Sequence, residues 1–219
     1  MALIRSIFQE ELDAVSQTLV DLTKMVSDSI NKATTSLIDA NLSLAEEVIT
    51  FDEKIDQIQH DLDARIIDII ARQQPVATDL RALITALRMS ADLERMGDLA
   101  HHVAKVARLR HPDSAVPLEL QTTVQRMGHV AENIARKVGS VIETRDTSLA
   151  LEVEKDDDEM DKLHRDLISV LTSAKWTAGV DSAIDLTLLG RYYERFADHA
   201  VSVARRVYYL VTGEFAPAK

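Results

Sequence analysis

The feature that most constrains the fold is a nine-residue segment that occurs twice, one hundred residues apart. Residues 92–100 read Asp-Leu-Glu-Arg-Met-Gly-Asp-Leu-Ala, and residues 192–200 read Tyr-Tyr-Glu-Arg-Phe-Ala-Asp-His-Ala. Both copies keep Glu-Arg-x-x-Asp within apolar residues spaced three and four apart, which is the spacing of one helix face. Self-similarity at a fixed distance is typical of a tandem duplication. The sequence therefore predicts two helical halves that resemble each other.

A second matched pair of segments extends this repeat. Residues 52–56 read Asp-Glu-Lys-Ile-Asp, and residues 157–161, at an offset of 105, read Asp-Asp-Glu-Met-Asp. The difference between the two offsets places about five extra residues in the connection near residues 73–79, and connections are where insertions are tolerated. Six helices that were alike through apolar patterning alone would not need matched carboxylate motifs in the same order.

Composition and periodicity together favour a wholly helical chain. The 219 residues include only 6 Gly and 4 Pro, and no segment alternates β-branched with polar residues. Apolar periodicity predicts six long helices. The first ends at about residue 40, and the others cover about residues 43–74, 78–110, 117–143, 148–173 and 181–212. Short connections imply antiparallel neighbours. We predict an all-α fold, a tandem repeat of two antiparallel three-helix bundles over residues 1–112 and 113–219.

Charge and cysteine content exclude several classes of function. The chain has no cysteine, so disulfides, thiolate metal sites and cysteine nucleophiles are excluded. Its 25 basic and 36 acidic residues give a net charge of −11, which would repel nucleic acid and anionic membrane surfaces. No apolar run approaches the ~18 residues of a spanning helix, and the first residues lack the pattern of a secretory signal. We expect a cytoplasmic protein without direct membrane insertion or nucleic-acid binding.

Four pairs of carboxylates stand four residues apart on predicted helices, two pairs in each half. Such like-charged neighbours cost a helix about 0.2–0.5 kcal/mol per pair unless a cation lies between them. Oxygen-only groups of this kind suit hard cations such as Mg, Mn, Ca or ferric iron. The candidate metal ligands are Asp52, Asp56, Glu94, Asp98, Asp157, Asp161, Glu194 and Asp198.

The helical faces of these pairs differ. Asp52 and Asp56 lie about 80° from the centre of their apolar stripe, whereas Glu94 and Asp98 lie about 160° away and form an acidic face of their own. If the second and third helices are neighbours, these four carboxylates converge on one groove. In the alternative interpretation each pair is a solvated stripe, neutralised by Arg95 in the first copy and by Arg195 in the second.

No catalytic constellation is visible in the sequence. A glycine-rich phosphate loop, a nucleotide fingerprint and a Ser-His-Asp or Cys-His arrangement are all absent, so no catalytic residue is predicted. His101 and His164 each follow an aspartate by three residues, but they lie in different halves and we expect both on the surface. The aromatic residues of the last third have core spacing, with Tyr208 and Tyr209 as an alternative contact patch.

The segments of residues 74–81, 92–98 and 193–200 together resemble the PhoU family of bacterial phosphate-signalling proteins, over nearly the whole chain. The resemblance implies tandem three-helix bundles with metal ions bound at the eight carboxylates named above, the metal being Fe, Mn, Mg or Zn. One departure exists: the family often has Gly-Asp-His, whereas this chain has Gly-Asp-Leu at residues 97–99 and Ala-Asp-His at residues 197–199. The two sites are therefore expected to differ in occupancy.

The same resemblance implies a non-enzymatic negative regulator of phosphate uptake and of the phosphate-starvation response. It implies contact with a phosphate ABC transporter ATPase and a two-component sensor histidine kinase, and a homodimer as in some members. Two other functions stay open on the residues alone. One is a carboxylate-bridged di-metal enzyme of the helical-bundle type, and the other is a helical scaffold whose acidic stripes confer solubility only.

Overall fold

The computed structural model describes the backbone of residues 2–217 and the side chains of residues 7–217. Over these residues the chain forms six helices and no strand, which confirms the all-α prediction. The helices are α1 (Ala2–Ile38), α2 (Leu42–Gln73), α3 (Ala77–Arg110), α4 (Leu118–Thr144), α5 (Thr147–Leu171) and α6 (Val180–Thr212). None of them, within the described residues, combines the length and apolar character needed to cross a membrane.

The helix ends follow capping chemistry. The side chain of Asn41 accepts a hydrogen bond from the backbone N–H of Leu44 and so caps the start of α2. The Asp146 side chain caps α5 in the same way. At the end of α6, Gly213 adopts φ 77° and donates its N–H to the Tyr209 carbonyl, which is the left-handed conformation that glycine favours at a helix C-terminus.

Each half folds as an antiparallel three-helix bundle. The first three helices contact one another, as do the last three. Antiparallel packing of α1 and α2 brings Arg72 near the end of α2 to 3.1 Å from Glu11 near the start of α1. The predicted tandem of three-helix bundles is confirmed. In addition α1 packs on α4 and α3 on α6, so one apolar core runs through both halves. That each half is a domain of its own stays a prediction.

Two glycines of α4 allow α1 and α4 to approach closely. A Cβ placed on Gly128 would lie 2.4 Å from the Thr34 side chain, and one placed on Gly139 would lie 2.5 Å from Thr23 Oγ1. These contacts are related by the repeat, because Thr23 and Thr34 correspond to Gly128 and Gly139 at the offset of 105. A threonine of the first half therefore meets a glycine of the second half at both ends of the contact.

The antiparallel contact between α3 and α6 joins the bundles on the other side of the core. Arg110 at the end of α3 lies 2.5 Å from Asp185 near the start of α6. Farther along, Asp92 of α3 accepts a hydrogen bond from Arg206 at 2.9 Å and lies 3.0 Å from His199 Nδ1. Because α3 contacts α1, α2 and α6, only a narrow arc of its surface remains open to solvent.

Candidate metal centre

The candidate centre of the first repeat forms where α2 packs on α3. Gly97 makes that approach possible, since a Cβ at this position would lie 3.2 Å from the Ile55 side chain and 3.3 Å from Asp52 Oδ1. Asp52 is consequently buried against α3, one helical turn before the half-buried Asp56. Glu94 and Asp98 of α3 therefore lie before and after Gly97, the glycine against which the Asp52 side chain packs.

The four carboxylates of the first repeat share one electrostatic environment, as the convergence hypothesis requires. Burial raises the pKa of Asp52 above its ordinary value, and the charges of Asp56 and Asp98 raise it further. The pKa of Glu94 is also raised, first by burial and then by the charge of Asp98, with smaller contributions from Asp56 and Asp52. The structure therefore brings together Asp52, Asp56, Glu94 and Asp98 of the two helices.

Glu94 and Asp98 are not among the buried residues of α3, as an acidic face apart from the apolar stripe predicts. Their side chains are nevertheless only 22% and 31% exposed, because α2 packs on that side of α3. The angular estimate assumed one apolar stripe, whereas α3 packs against three other helices and is buried over a wide arc.

His101 is the residue of this site that the sequence analysis missed. Its Nδ1 contacts Asp52 Oδ2, and the contact lowers the pKa of Asp52 against the larger effect of burial. The prediction of a surface histidine is wrong here, since the side chain is only 18% exposed. A signal was available: Glu94, Asp98 and His101 are spaced four and three apart and share a helix face.

Arg95 neutralises part of the same cluster. Its guanidinium lies 2.6 Å from Asp98 and 3.6 Å from Glu94, and the arginine itself is mostly exposed. This contact is the one that the solvated-stripe interpretation predicts for the first copy. The first repeat therefore combines an exposed ion pair at its rim with a buried carboxylate and imidazole beneath it.

The second repeat places its four candidates differently. Asp157 is buried, Asp161 lies 3.7 Å from Arg165 on its own helix, and Asp198 is exposed. Glu194 is half-buried and is contacted by Arg191, whereas the interpretation as a solvated stripe had named Arg195. The cations on Asp161 and Glu194 therefore each belong to the same helix as the carboxylate.

A buried ion pair of the second repeat was not predicted. Arg205 of α6 donates from Nε to Glu154 of α5 at 2.5 Å, and it also lies near the charge of Asp157. Glu154 is buried, while the arginine is 48% exposed. The repeat relation gives no hint of this pair, because Glu154 corresponds to Ile49 and Arg205 to Lys105.

The carboxylate and imidazole groups of the first repeat are chemically suited to bind a metal ion. Buried Asp52 Oδ1, Asp56 Oδ1 and His101 Nε2 have no hydrogen-bond partner within the described part of the chain, and carboxylate oxygen with imidazole nitrogen is a common ligand set for Mn, Fe and Zn. The side chains as they stand do not form a coordination group. Among the side chains of residues 7–217, no three of His, Asp or Glu are arranged to hold an ion.

Comparison with known proteins identifies the fold and family. The family model for the PhoU domain matches residues 19–107 and again residues 124–207, one match in each half. The chain belongs to the PhoU family. It is 43% identical over 212 residues to the phosphate-specific transport system accessory protein PhoU homolog 2 of Mycobacterium tuberculosis, covering 97% of this chain and 100% of that protein.

Another relative and two solved structures agree with this family. PhoU homolog 1 of Mycobacterium leprae is also 43% identical, over 97% of this chain and 96% of its own. The crystal structure of PhoU from Pseudomonas aeruginosa superimposes with a TM-score of 0.85 at 30% identity, covering 94% of this chain and all of that one. A Streptococcus pneumoniae PhoU structure at 24% identity and a TM-score of 0.86 shows the same fold. The resemblance seen in the sequence is confirmed.

Proposed function

We propose that the chain is a non-enzymatic accessory protein of phosphate transport that restrains phosphate uptake and the phosphate-starvation response. The observation that carries this proposal is the 43% identity over the full length of a protein named phosphate-specific transport system accessory protein. The similarity includes all six helices and the order of both repeats, since the family description matches each half separately. It therefore supports a shared role and not only a shared domain.

The proposed mode of action is contact. As a cytoplasmic homodimer, the protein meets the ATPase subunit of a phosphate ABC transporter and a sensor histidine kinase, and holds the kinase in its repressing state when phosphate is abundant. A rigid bundle with a continuous core suits such a role, because its exposed helix faces present fixed side chains to partners. The acidic surface, at a net charge of −11, favours basic partner patches.

A functional test compares cells with and without the gene. Deletion is expected to leave transporter genes expressed in phosphate-rich medium, and affinity-tagged protein is expected to co-purify with the transporter ATPase and the kinase. Repression that persists in the deletion strain would overturn the proposal. Turnover of ATP, a phosphoester or dioxygen by the iron-loaded protein would instead favour the di-metal enzyme.

Metal binding at the first repeat is the second part of the proposal. Asp52, Asp56, Glu94 and Asp98 would hold the ion with His101 beside them, and the support is the set of buried donor atoms without hydrogen-bond partners. A bound cation would supply positive charge between α2 and α3. Arg95 would have to release Asp98, and the side chains would have to rotate, before a coordination group forms. The second repeat, with Asp157, Asp161, Glu194 and Asp198, would bind more weakly because arginines already lie on its carboxylates.

Thermal unfolding with added Mn²⁺ tests this part. A ligand that binds only the folded state raises Tm by mass action, so Mn²⁺ is expected to raise Tm of the chelator-treated protein. The rise should vanish in Asp52→Asn with Glu94→Gln. It should persist in the control Glu119→Gln with Glu143→Gln, which removes two exposed charges from α4. Equal shifts in both double variants would contradict a site between α2 and α3.

A further inference from the structure

A groove with an apolar floor runs between the start of α3 and the end of α6, away from the acidic cluster. Its volume is about 600 Å³. Leu80 and Ile84, one turn apart on α3, are 37% and 40% exposed in it. Phe215, 86% exposed, stacks on Tyr209 with 5.0 Å between ring centroids. Large apolar side chains gathered in one groove mark an interaction surface more often than scattered ones do.

Among the residues that the structure describes, no aspartate or glutamate lines the groove, and four arginines do: Arg81, Arg88, Arg205 and Arg206. Two of them are held in place, Arg205 by Glu154 and Arg206 by Asp92. Arg81 lies over the Tyr209 ring at 5.8 Å, and among residues 7–217 neither it nor Arg88 makes an ion pair. The groove is thus a positive region on a chain whose net charge is −11.

The repeat supplies an internal comparison. The start of α6 carries Val180 and Ile184 where α3 carries Leu80 and Ile84, and both are exposed. The cations are only partly repeated there. At the offset of one hundred residues, Arg81, Arg88 and Arg206 correspond to Asp181, Leu188 and Val106, whereas Arg205 corresponds to Lys105. Apolar exposure is therefore common to both ends of the α3–α6 contact, but the other end also carries Asp181 and Asp185, which lie near its cation Arg110.

We propose that this groove docks an acidic amphipathic helix of a partner protein. The inference rests on the proposed function only in taking the occupant to be a protein. From Leu80 to Arg88 the floor extends about 12 Å along α3, which matches two to three turns of a helix. Apolar side chains at i and i+4 of that helix pack on Leu80, Ile84 and Phe215, and flanking carboxylates meet the guanidinium groups of Arg81 and Arg88.

Site-specific photo-crosslinking in cells identifies the occupant. A benzophenone side chain at position 84 of the full chain is expected to capture a helical peptide of net negative charge, which mass spectrometry of the crosslinked fragment reads directly. Position 184, exposed on the repeat-related surface, is the matched control and is expected to capture that peptide at a lower yield. Capture of a neutral or basic segment, capture of another copy of this chain, or equal yields at both positions would overturn the proposal.

Binding of the captured segment as a synthetic peptide then tests the charges. Arg81→Ala with Arg88→Ala is expected to weaken binding about tenfold or more at about 0.05 M salt, and by less at about 0.5 M, since exposed charges are screened. Lys105→Ala with Arg108→Ala removes two exposed cations near the other end of α3 and should leave the affinity unchanged. Equal losses in the two double variants would contradict a role for the groove.

Two further outcomes separate this inference from the proposed function. If the Arg81 and Arg88 double variant still co-purifies with both transporter ATPase and kinase and still crosslinks at position 84, the groove assignment is wrong and the accessory function stands. If inorganic phosphate binds the wild type in calorimetry and loses its affinity in that variant, the groove is a small-anion site and the docking inference is overturned.

Discussion

The two repeats bury a carboxylate at the same place in the fold and stabilise it in different ways. In the first, Asp52 contacts His101, a partner that can be neutral. In the second, Arg205 lies on Glu154 and near Asp157, and a guanidinium keeps its charge at any physiological pH. The same duplicated fold therefore accommodates a buried carboxylate beside either a histidine or an arginine. The first repeat has an imidazole beside its buried carboxylate, and the second places a side-chain cation near its own.

The α1–α4 contact shows the same divergence in packing. At each end of this contact a threonine of the first half packs on a glycine of the second. The Thr34 hydroxyl also forms a hydrogen bond with the buried Tyr193 hydroxyl at 2.8 Å. The Thr23 hydroxyl, by contrast, donates to the Val20 carbonyl of its own helix. Symmetry-related contacts are thus predicted to differ in how well they accept a substitution.

The largest effect is expected for Gly128→Ala. Its Cβ would meet Thr34 at 2.4 Å, and Thr34 cannot move without breaking the bond to Tyr193, so the free energy of unfolding should fall by about 3 kcal/mol. Gly139→Ala should cost only about 1 kcal/mol, because the helix propensity of alanine offsets part of the clash with Thr23. Urea denaturation of both variants measures the difference.

A double-mutant cycle sharpens this comparison. In a Thr23→Ala background, Gly139→Ala should become stabilising by about 0.5 kcal/mol, since the clashing hydroxyl is gone. In a Thr34→Ala background, Gly128→Ala should remain destabilising, because the Cβ that alanine keeps at position 34 would still lie 2.8 Å from the new methyl group, against 3.4 Å at the Thr23 end. Identical cycles at the two ends would show that this difference in spacing does not distinguish them.

The next largest effect is expected for Arg205→Met. Removing one partner of a fully buried pair costs about 3–5 kcal/mol, and the 48% exposure of Arg205 lowers the expected loss to about 2 kcal/mol. Lys105→Met, at the repeat-related position, should change stability by less than about 0.5 kcal/mol because Lys105 is exposed. Chemical denaturation of both variants checks the contrast, and a large loss in the lysine variant would break it.

The pH dependence of stability tests the first repeat. The pKa of Asp52 is raised in the folded state, so between its ordinary value of 3.8 and the raised value the folded protein binds more protons than the unfolded protein. Stability contributed by this group therefore falls as pH rises through that window. Asp52→Asn removes the dependence, so the variant should gain stability relative to wild type between pH ~4 and pH ~7.

Glu94→Gln should act in the same direction, because the pKa of Glu94 is also raised, first by burial and then by Asp98. Thermal unfolding of wild type and both variants at the two pH values gives the result. A difference between wild type and Asp52→Asn that does not change with pH would show that the carboxylate is not destabilised by its surroundings.

The smallest effect is expected for the exposed ion pairs of the two motifs. Arg95→Ala and Arg191→Ala should each cost about 0.5 kcal/mol or less, since both guanidinium groups are about half exposed or more and water screens their attraction to the half-buried carboxylates. Differential scanning calorimetry resolves such changes. A loss well above 1 kcal/mol for either variant would mean that its arginine holds the neighbouring carboxylate in the fold, and the two repeats would then differ at the rim as well as in the interior.

Much of the fold was predictable, because it depends on local chemistry. The six helices, the Gly213 cap and the pairing of residues 52–56 with 157–161 all follow from periodicity and repeated motifs. Convergence of Asp52 and Asp56 with Glu94 and Asp98 was predicted on the condition that α2 and α3 are neighbours, and that condition holds. That these carboxylates bind metal stays a prediction.

Periodicity identifies a helix face but not the helix that covers it. Glu94 and Asp98 were assigned an acidic face of their own, and α2 packs on that face. His101 was placed on the surface because the two Asp-x-x-His segments lie in different halves, whereas its side chain is only 18% exposed. The pair of Glu154 with Arg205 joins residues of different helices that have no counterpart in the other repeat. Neither helix alone carries a signal for it.

The sequence by itself determined the helices, the duplication and the positions of the acidic motifs, since each depends on residues close together in the chain. Only the tertiary structure decided which carboxylates are buried, which cation lies on each, and where the arginines of α3 and α6 form a groove. The physical reason is that burial and charge pairing depend on neighbouring helices, and small residues such as Gly97 and Gly128 set how closely those neighbours approach.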